Sequence, residues 1–395
     1  MSKNIVVAVC GGIAVYKTVD LVSRLKKKGH NVYVMMTKSA CEFVTPLTFQ
    51  TMSQNEVVTD MFAPVSNWEV EHISLATKAD VMLVCPATAN IIGKIASGIA
   101  DDFVTTTIMA TKAPKVICPA MNNNMYDNVV VQRNLSKLKN DGCYIVEPGE
   151  GFLACGTVGK GRLTELENIE DAIEEALCTD KDLLGKRVLV TAGPTREAID
   201  PVRYITNHSS GKMGYEIAKR ARIRGAEVTL VSGQVSLRPF SGINIIPVTS
   251  AQDMYNAVIN EYDHSDIVIK AAAVADFTPK DKSEHKIKKS DSMSLELTKN
   301  PDILMNLGEK KAHQVLVGFC METKELMENA RKKLAKKNLD FIVANNLNTK
   351  GAGFGTDTNV VTIIDKLGNE QSLDIMSKGD VADIVLDKAL EFIRK

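Results

Sequence analysis

One pattern, present in both halves of the chain, constrains the fold more than any other feature. Each half begins with a buried segment of strand length that runs into a glycine turn. These segments are Ile5–Cys10 before Gly11 and Gly12, and Lys186–Thr191 before Gly193. In each half, further apolar segments of strand length then alternate with amphipathic helical segments. Such alternation is typical of parallel sheets covered by helices, so the sequence predicts an α/β fold.

The length of the chain favours two domains, because 395 residues exceed what one hydrophobic core usually organises. The predicted helix Asn168–Cys178 is followed by a polar stretch, after which the strand pattern starts again. We therefore expect two tandem Rossmann-like three-layer domains with mostly parallel sheets, 1–182 and 183–395. Within the first domain, helices are predicted between Ser39 and Gln50 and from Asn90 to Met109.

Composition argues against several classes of protein. Lys plus Arg and Asp plus Glu number 48 each, so the balanced charge predicts neither a nucleic acid nor a membrane surface as partner. No apolar run has the length of a membrane span, and residues 1–4 lead straight into a strand, which predicts no signal peptide. The eight cysteines contain no C-x-x-C pair, which argues against a zinc site and predicts a cytoplasmic protein.

Small and hydroxyl-bearing residues follow three predicted strands of the first half. They are the turn at residues 11–12, residues 37–39 (TKS) and residues 86–90 (PATAN). The carboxyl ends of parallel strands share one edge of a sheet, and helix N-termini at that edge favour anions. The third glycine of the dinucleotide pattern is missing, so these residues suit a mononucleotide with a flat ring better than NAD. A plain tight turn at residues 11–12 is an equally good interpretation of those residues alone.

Three segments of this half resemble signature segments of the flavin-containing cysteine decarboxylases. They are residues 11–17 (GGIAVYK), 85–98 (CPATANIIGKIASG) and 119–126 (PAMNNNMY). The resemblance implies that FMN lies at the strand ends. The residues that it implies as FMN contacts are Gly11, Gly12, Ile13, Thr37, Ser39, Thr88, Ala89, Asn90 and Ala120.

The same resemblance implies three catalytic residues. Residues 68–73 (WEVEHI) resemble the stretch that supplies the family's histidine, which makes His72 the candidate base. Asn122 matches the asparagine that holds the substrate carboxylate, although three asparagines in a row also commonly form a turn. Cys155 lies in a glycine-rich stretch that is typical of a lid, and it matches the proton-donor cysteine of the phosphopantothenoylcysteine decarboxylases. The other seven cysteines are expected to be buried small hydrophobes.

The chemistry of decarboxylation accounts for these residue types. Loss of CO2 from a cysteine carboxylate leaves a poorly stabilised carbanion. A flavin can first take a hydride from the thiol-bearing carbon, and the thioaldehyde formed then stabilises the carbanion as an enethiolate. The hydride later returns, and a protein acid supplies the second proton. In this scheme His72 assists the oxidation, Asn122 orients the carboxylate and Cys155 supplies the proton.

The second half carries a different set of polar segments. Residues 192–195 (AGPT) follow a strand, and residues 200–214 form a polar loop that leads into a helix and suits an anion. A P-loop is rejected, because Met213 replaces the Ser or Thr that binds magnesium. Asp276 at a strand end, with lysines at 286–289 nearby, can hold a nucleotide and its Mg²⁺. A solvated charge run is the plainer interpretation of those lysines.

Five segments of this half, taken in their order along the chain, resemble phosphopantothenate–cysteine ligase. They are residues 192–214, 271–277 (AAAVADF), 286–289 (KIKK), 299–304 (KNPDIL) and 333–338. The resemblance implies that Asn207 and Lys286 act on the acyl-nucleotide intermediate, and that the bacterial fused form uses CTP. His208 departs from the arginine that is common at its position. The implied nucleotide-binding residues are Asp276, Lys286, Pro301, Asp302, Ile303, Leu304, Phe319, Lys333 and Lys337.

Together the two resemblances imply a bifunctional enzyme of coenzyme A biosynthesis. It would join 4'-phosphopantothenate to L-cysteine through an acyl-CMP intermediate, using CTP and Mg²⁺. It would then decarboxylate 4'-phosphopantothenoylcysteine to 4'-phosphopantetheine with FMN. They also imply a cytoplasmic homo-oligomer, a dodecamer with trimeric flavin domains and dimeric ligase domains. Two alternatives stay open: a flavin or nicotinamide oxidoreductase with a separate substrate domain, and a regulatory flavoprotein subunit in which one site has decayed.

Overall fold

The computed structural model describes residues 2–62, 70–152, 156, 158–288, 293–322, 325–346 and 355–393. The chain divides into two compact units, Met1–Thr179 and Asp180–Lys395. Each unit contains its own sheet and its own apolar clusters. No helix in the described ranges is both long enough and apolar enough to cross a membrane.

The first unit alternates strands with helices. Its strands are β1 (Asn4–Val9), β2 (Asn31–Met36), β3 (Val57–Val58), β4 (Val81–Ala87), β5 (Lys115–Pro119), β6 (Tyr144–Ile145), β7 (Gly149–Phe152) and β8 (Val158–Arg162). Its helices are α1 (Val15–Lys27), α2 (Lys38–Cys41), α3 (Pro46–Ser53), α4 (Glu71–Lys78), α5 (Ala89–Ser97), α6 (Phe103–Ala110), α7 (Asn123–Tyr126), α8 (Val129–Asn140) and α9 (Leu166–Leu177).

Six of these strands form one parallel sheet in the order β3-β2-β1-β4-β5-β6. The order reverses beside β1, which creates the kind of switch point where α/β sheets bind ligands. Strands β7 and β8 form a separate antiparallel hairpin.

Side chains along β1 alternate between two apolar clusters. Ile5 and Val7 pack in the cluster that contains residues of α1 and α9, whereas Val6 and Ala8 pack in the cluster that contains residues of α5 and α8. A strand that is buried on both faces needs an unbroken apolar run, which is why this strand was readable from the sequence. The three-layer α/β prediction is confirmed.

Two predicted helices are each replaced by a pair of shorter ones. The segment 39–50 contains α2 and the start of α3, because Pro46 occupies the first turn of a new helix. The segment 90–109 breaks after α5 at Gly98, which has φ +70°, and α6 then starts from a capping box on Asp102. Both predictions of one continuous helix were therefore wrong.

The second unit is built on a larger sheet. Its strands are β9 (Arg187–Ala192), β10 (Arg196–Ala198), β11 (Tyr204–Thr206), β12 (Glu227–Ser232), β13 (Asn244–Pro247), β14 (Ile267–Lys270), β15 (Phe277–Pro279), β16 (Leu297–Lys299), β17 (Val315–Glu322), β18 (Phe341–Asn346), β19 (Thr358–Asn359), β20 (Val361–Asp365), β21 (Glu370–Ser372) and β22 (Met376–Ser377). Its helices are α10 (Lys212–Ile223), α11 (Ala251–Tyr262), α12 (Ile303–Lys310), α13 (Leu326–Lys336) and α14 (Lys378–Ile393).

Eight strands form the main sheet in the order β13-β12-β9-β14-β17-β18-β20-β21. The pairs from β13 to β18 are parallel, and the last two pairs are antiparallel. Along β14, Ile267 and Ile269 pack with residues of α10 and α14, whereas Val268 packs with residues of α11, α12 and α13. This sheet is therefore also covered by helices on both faces, as predicted.

Candidate active sites

A cavity of about 1040 Å³ opens at the carboxyl ends of the central strands of the first unit. Residues of the α6 N-terminus and of the β7–β8 hairpin, among them Phe103 and Phe152, complete its wall. All nine predicted flavin contacts line it: Gly11, Gly12, Ile13, Thr37, Ser39, Thr88, Ala89, Asn90 and Ala120. Residues from four separate segments of the sequence thus converge on one cavity.

Gly11 lies where two strand–helix turns touch. A Cβ atom at this position would lie 2.4 Å from the Cβ of Ser39 and 2.8 Å from its carbonyl carbon. Any side chain here would therefore force the β1–α1 turn and the β2–α2 turn apart. The glycine keeps a backbone turn and a hydroxyl together at the cavity wall, which suits a phosphate group.

Two threonines at the wall begin helices. The hydroxyl of Thr37 accepts a hydrogen bond from the Ala40 N–H at 3.2 Å, and that of Thr88 accepts one from the Ile91 N–H at 3.3 Å. The capping bond uses a lone pair of each hydroxyl, so its proton can still be donated to a ligand. For Thr37, capping and ligand contact are thus compatible.

The Lys94 ammonium, which also lines the cavity, is already paired. It lies 2.7 Å from Asp101 and 3.3 Å from Asp102. The hydrogen bond to Asp101 raises the pKa of Lys94. This cation therefore stays charged but brings little net positive charge to the site.

The β7–β8 hairpin is fastened beside Asn122. The Met121 N–H donates to the Gly161 carbonyl at 2.9 Å, and a Cβ on Gly161 would lie 2.4 Å from the Met121 carbonyl oxygen. Asn122 lines the cavity, and its side-chain oxygen accepts from the Asn124 N–H at 2.8 Å. The asparagine is thus both a turn residue and a cavity residue. Cys155 lies outside the described residues.

His72 lies on α4 and is not among the residues that line the cavity. Its half-buried ring packs edge-on against Phe103, with 6.4 Å between ring centroids, and Phe103 does line the cavity. The histidine therefore lies one side chain away from the cavity. Trp68 and Glu69, which belong to the segment that identified it, lie outside the described residues.

None of the described cysteines forms a disulfide. Four of them, Cys10, Cys85, Cys118 and Cys320, are buried, whereas Cys41, Cys143 and Cys178 are half-buried. Burial raises the pKa of Cys10, which lines the cavity, and that of Cys118. The thiol of Cys10 is therefore a poor source of protons despite its position.

In the second unit, the loops after β9 and β14 are joined. The Ala273 N–H donates to the Gly193 carbonyl at 2.9 Å, and the Ala275 N–H donates to the hydroxyl of buried Thr195 at 3.0 Å. Asn207 is held against the same loop, because its amide nitrogen donates to the Val274 carbonyl at 3.1 Å. The exposed Asp276 follows two residues later, so the structure brings the predicted Asn207 and Asp276 into one region.

The buried Asp200 and the half-buried Arg203 form a clamp that sequence reasoning missed. The Asp200 carboxylate accepts two side-chain hydrogen bonds from Arg203, at 2.9 and 2.6 Å, and three backbone N–H bonds, one of them from Ile287 at 3.2 Å. Arg203 also donates to the Ile287 carbonyl at 3.1 Å. The Arg203 hydrogen bonds hold the pKa of Asp200 well below its usual range.

This clamp fixes the backbone beside Lys286, whose side chain is exposed. The tetrapeptide 200–203 is polar and lies far from Lys286 in sequence, so nothing local indicated the contact. An Asp and an Arg three residues apart were the only sequence sign of it.

Several predicted nucleotide-binding residues lie at or near the start of α12. Asp302, preceded by Pro301, caps the helix through the Met305 N–H at 3.1 Å and pairs with Lys337 at 2.8 Å. Burial opposes ionisation of Asp302, but its hydrogen bond with Lys337 and the helix N–H bond outweigh burial and lower its pKa. Ile303 and Leu304 bury their side chains in the core, so only their backbone groups can contact a ligand.

Two further predicted residues lie around this point. Lys333 lies in the last turn of α13, and Lys337 caps the end of that helix. Phe319 is partly buried and packs against the cluster of α10 and α14, on the other face of the sheet. The structure therefore places Asp302, Lys333 and Lys337 on one face, and Phe319 on the other.

Lys270, at the end of β14, was not predicted. It is half-buried, and within the ranges that the structure describes its ammonium has no hydrogen bond and no ion pair. Burial, and next the ammonium of Lys337, lower the pKa of Lys270 to about 8. A lysine that ends the apolar run Ile267–Ile269 was the sign that could have drawn attention to it.

No group of three or more His, Cys, Asp or Glu side chains suited to a metal ion occurs in the described part of the chain.

Two family models cover almost the whole chain. Residues 1–178 match the model described as "Flavoprotein", and residues 183–392 match "DNA/pantothenate metabolism flavoprotein C-terminal domain".

Individual proteins match over similar lengths. The chain is 56% identical over 391 residues to "Coenzyme A biosynthesis bifunctional protein CoaBC" of Bacillus subtilis (strain 168), covering 98% of this chain and 96% of the relative. It is 46% identical over 357 residues to "Cysteine/Cysteine sulfinic acid decarboxylase" of an unknown prokaryotic organism, covering 89% of this chain and 99% of the relative. The solved C-terminal domain of a CoaBC protein is 45% identical, covers 54% of this chain and 99% of that chain, and has a TM-score of 0.48.

Proposed function

Since this chain belongs to the family of coenzyme A biosynthesis bifunctional proteins, we propose that its two domains catalyse two successive steps of that synthesis. The second domain, 183–395, is a phosphopantothenate–cysteine ligase that uses CTP. The first domain, 1–182, is an FMN-dependent phosphopantothenoylcysteine decarboxylase. The observation that carries the proposal is the convergence of all nine predicted flavin contacts on one cavity.

In the first domain, FMN supplies a reversible electron acceptor for the thiol-bearing carbon of the substrate. The close approach of Gly11 to Ser39 and the cavity of about 1040 Å³ fit this cofactor. Backbone N–H groups of the turn at residues 11–13 and the Ser39 hydroxyl bind its phosphate. Thr88, Ala89, Asn90 and Ala120, at the ends of β4 and β5, line the remainder of its site.

The catalytic side chains of this domain act on the substrate. Asn122, whose amide is oriented by the Asn124 N–H, donates to the substrate carboxylate and directs it for loss of CO2. The family resemblance assigns the base of the first step to His72, whose ring lies against Phe103 and outside the cavity wall. Cys155 is the acid that donates a proton to the carbon left after decarboxylation.

In the second domain, the carboxylate of 4'-phosphopantothenate attacks the α-phosphorus of CTP. A carboxylate–phosphorus bond forms, and pyrophosphate leaves. The amine of L-cysteine then attacks the acyl carbon, CMP leaves, and the amine loses a proton. Catalysis is positioning and charge stabilisation, because the protein neutralises the triphosphate and holds the acyl-CMP in place.

Several residues share this work. Lys286, fixed through the Asp200–Arg203 clamp at Ile287, neutralises the reacting phosphate. Asn207, held on the loop before Asp276, contacts the acyl-CMP. Lys337, Lys333 and the N–H groups at the start of α12 bind the nucleotide. Asp276 would help to hold the Mg²⁺ that accompanies the triphosphate, and that ion would neutralise phosphate charge.

The remaining proposals concern the state of the protein in the cell. The free thiols of the described residues support a reducing, cytoplasmic compartment. The assembly that we propose is a dodecamer of trimeric flavin domains and dimeric ligase domains, and it rests on the family resemblance.

The test is mass spectrometry of products from purified protein given 4'-phosphopantothenate, L-cysteine, CTP and Mg²⁺. Formation of 4'-phosphopantetheine, CMP and pyrophosphate supports both halves. Accumulation of 4'-phosphopantothenoylcysteine would support the ligase assignment of the second domain and overturn the decarboxylase assignment of the first. A protein that binds FMN but forms no conjugate with any nucleotide would favour an oxidoreductase.

A second candidate function is decarboxylation of free cysteine. It is favoured by the 46% identity to a relative named as a cysteine and cysteine sulfinic acid decarboxylase. The same assay without 4'-phosphopantothenate separates the two candidates. Production of cysteamine at a rate comparable to that of the complete reaction would favour free cysteine as the substrate.

A further inference from the structure

We propose that Lys270 is a further nucleotide-binding residue of the second domain, and that its ammonium pairs with the polyphosphate of the bound nucleoside triphosphate. This inference rests on the proposed ligase function. It concerns a residue that neither the sequence motifs nor the family resemblance singled out.

The position of Lys270 follows from the sheet. In the register of β14 it lies beside Thr191, the last residue but one of β9, and beside Gly318 of β17, and it is the last residue of β14 at the carboxyl edge of that strand. Side chains alternate along a strand, so Lys270 faces the same way as Val268, toward α12 and α13. Ligands of parallel α/β sheets bind at this edge.

Four charged groups act on Lys270. Lys333 and Lys337 act on it from α13, Asp302 from the N-cap of α12, and Asp276 from the loop after β14. Its sheet neighbours Thr191 and Gly318 carry no charge. One of the two carboxylates, Asp302, already pairs with Lys337 at 2.8 Å.

Among the residues that the structure describes, the Lys270 ammonium lacks an acceptor of its own. Within the described residues, no acceptor lies within hydrogen-bond distance of the Lys270 ammonium, although most of the side chain is covered. In the described part of the chain, the half-buried Lys270 ammonium has no protein acceptor, and lysines near one another repel. A polyphosphate supplies acceptor oxygens and negative charge, and it is the anionic part of the proposed substrate. The N–H groups at the start of α12 face the same region and favour the same ligand.

The environment of Lys270 links nucleotide binding to pH. In the free protein its pKa is lowered to about 8, by burial and then by Lys337. Below that pH the lysine already carries its proton, so binding needs no proton uptake. Above it the amine is largely neutral, and pairing with a phosphate requires a proton from solvent. The KM for CTP should therefore rise as the pH increases through about 8.

The experiment measures pyrophosphate release by the full chain with 4'-phosphopantothenate, L-cysteine and Mg²⁺, at varied CTP and from pH 6.5 to about 9.5, bracketing the lysine range. Lys270→Met should raise the KM for CTP roughly 10- to 100-fold, as loss of a charge-assisted hydrogen bond does. Lys270→Arg keeps its charge at all these pH values, so it should bind CTP but lose the rise in KM near pH 8. Lys336→Met is the matched control, since Lys336 is exposed near the end of α13 and should leave the KM unchanged.

The outcomes separate the inference from the function on which it rests. A wild-type protein that releases no pyrophosphate overturns the ligase assignment and the role of Lys270 with it. An active wild type whose KM matches that of Lys270→Met overturns the inference alone. If Lys270→Met does not fold, the arginine variant decides, because a KM profile with the wild-type rise near pH 8 would contradict the proposal.

Discussion

At the scale of single residues, the lack of a side chain at Gly11 allows two turns of the proposed flavin cavity to lie in contact. The β1–α1 and β2–α2 turns approach so closely that a methyl group at this position would overlap Ser39 at 2.4 Å. The glycine motif was visible in the sequence, but the partner that makes the glycine necessary was not. Ser39 is 28 residues away in the chain and becomes a neighbour only because β1 and β2 pair.

Gly11→Ala should weaken FMN binding, because the added methyl group pushes the two turns apart. Overpacking of this kind costs about 1–3 kcal/mol, which corresponds to roughly a 5- to 150-fold loss of affinity. Titration of apoprotein with FMN, followed by flavin fluorescence, measures the effect. Gly93→Ala is the control, since its methyl group would meet only Asn134 at 3.8 Å within a helix and should leave FMN affinity intact. Equal affinities for the two variants would show that the turns are not tightly apposed.

Asp200→Asn tests the clamp beside Lys286. The variant removes the charge that holds Arg203 and weakens the contacts to Ile287, so Lys286 loses its fixed backbone. We expect ligation to slow by about tenfold or more, while decarboxylation of supplied 4'-phosphopantothenoylcysteine is unchanged. Separate assays of the two half-reactions measure this, with Asp281→Asn at an exposed neighbouring site as control. Equal loss of both activities would instead indicate general unfolding.

At the scale of secondary-structure elements, the sequence predicted the strands and the turns that follow them, but it did not predict where helices are interrupted. An apolar run that is buried on both faces is a strong local pattern, so β1 and β9 were anticipated within one residue. Helix breaks depend on a single residue, such as Pro46 or Gly98, within an otherwise helical pattern. The hairpin of β7 and β8 is a third kind of element, because it has neither strand nor helix periodicity and is held in place by tertiary contact.

Gly161→Ala tests how that hairpin is held. The methyl group would lie 2.4 Å from the Met121 carbonyl, at a residue with φ +148°, so the hairpin must shift away from Asn122. Strain and overlap of this kind cost about 1–3 kcal/mol. We expect decarboxylation to fall about tenfold while FMN remains bound, as judged by product formation and by the flavin absorbance of the purified protein. Gly149→Ala in the same hairpin meets only ordinary contacts of 3.7 Å or more and should behave as wild type.

At the scale of the whole molecule, each unit has its own sheet and its own core. The clusters of the first unit contain residues up to Ala176, and Leu183 belongs to a cluster of the second. The second unit begins slightly before the predicted boundary, because Asp182 pairs with the nearly buried Arg224 at 2.5 Å and Lys181 donates to the Ile223 carbonyl at 2.7 Å. Residues 181 and 182 are therefore part of its fold.

The two units should fold and act when produced separately. A fragment 180–395 should ligate 4'-phosphopantothenate and cysteine, and a fragment 1–179 should bind FMN.

A fragment 183–395 should be less stable than 180–395, because it loses the Asp182 partner of Arg224. Removing one partner of a largely buried pair costs about 1–3 kcal/mol when other partners remain, here Asp387. Chemical denaturation of the two fragments measures the difference, and equal midpoints would refute this account of the boundary.

The sequence by itself determined the fold class, the two-domain organisation and the residues that converge on the cavity of the first unit. These properties are carried by local patterns, namely apolar runs, glycine turns and short motifs at strand ends. Three sets of contacts were decided only by the tertiary structure. Asp200 and Arg203 bind the backbone of Ile287, and the ring of His72 packs against Phe103. Lys270 lies near Lys333 and Lys337. The physical reason is distance along the chain. Contacts between residues tens of positions apart depend on strand order and register, and no local pattern encodes them.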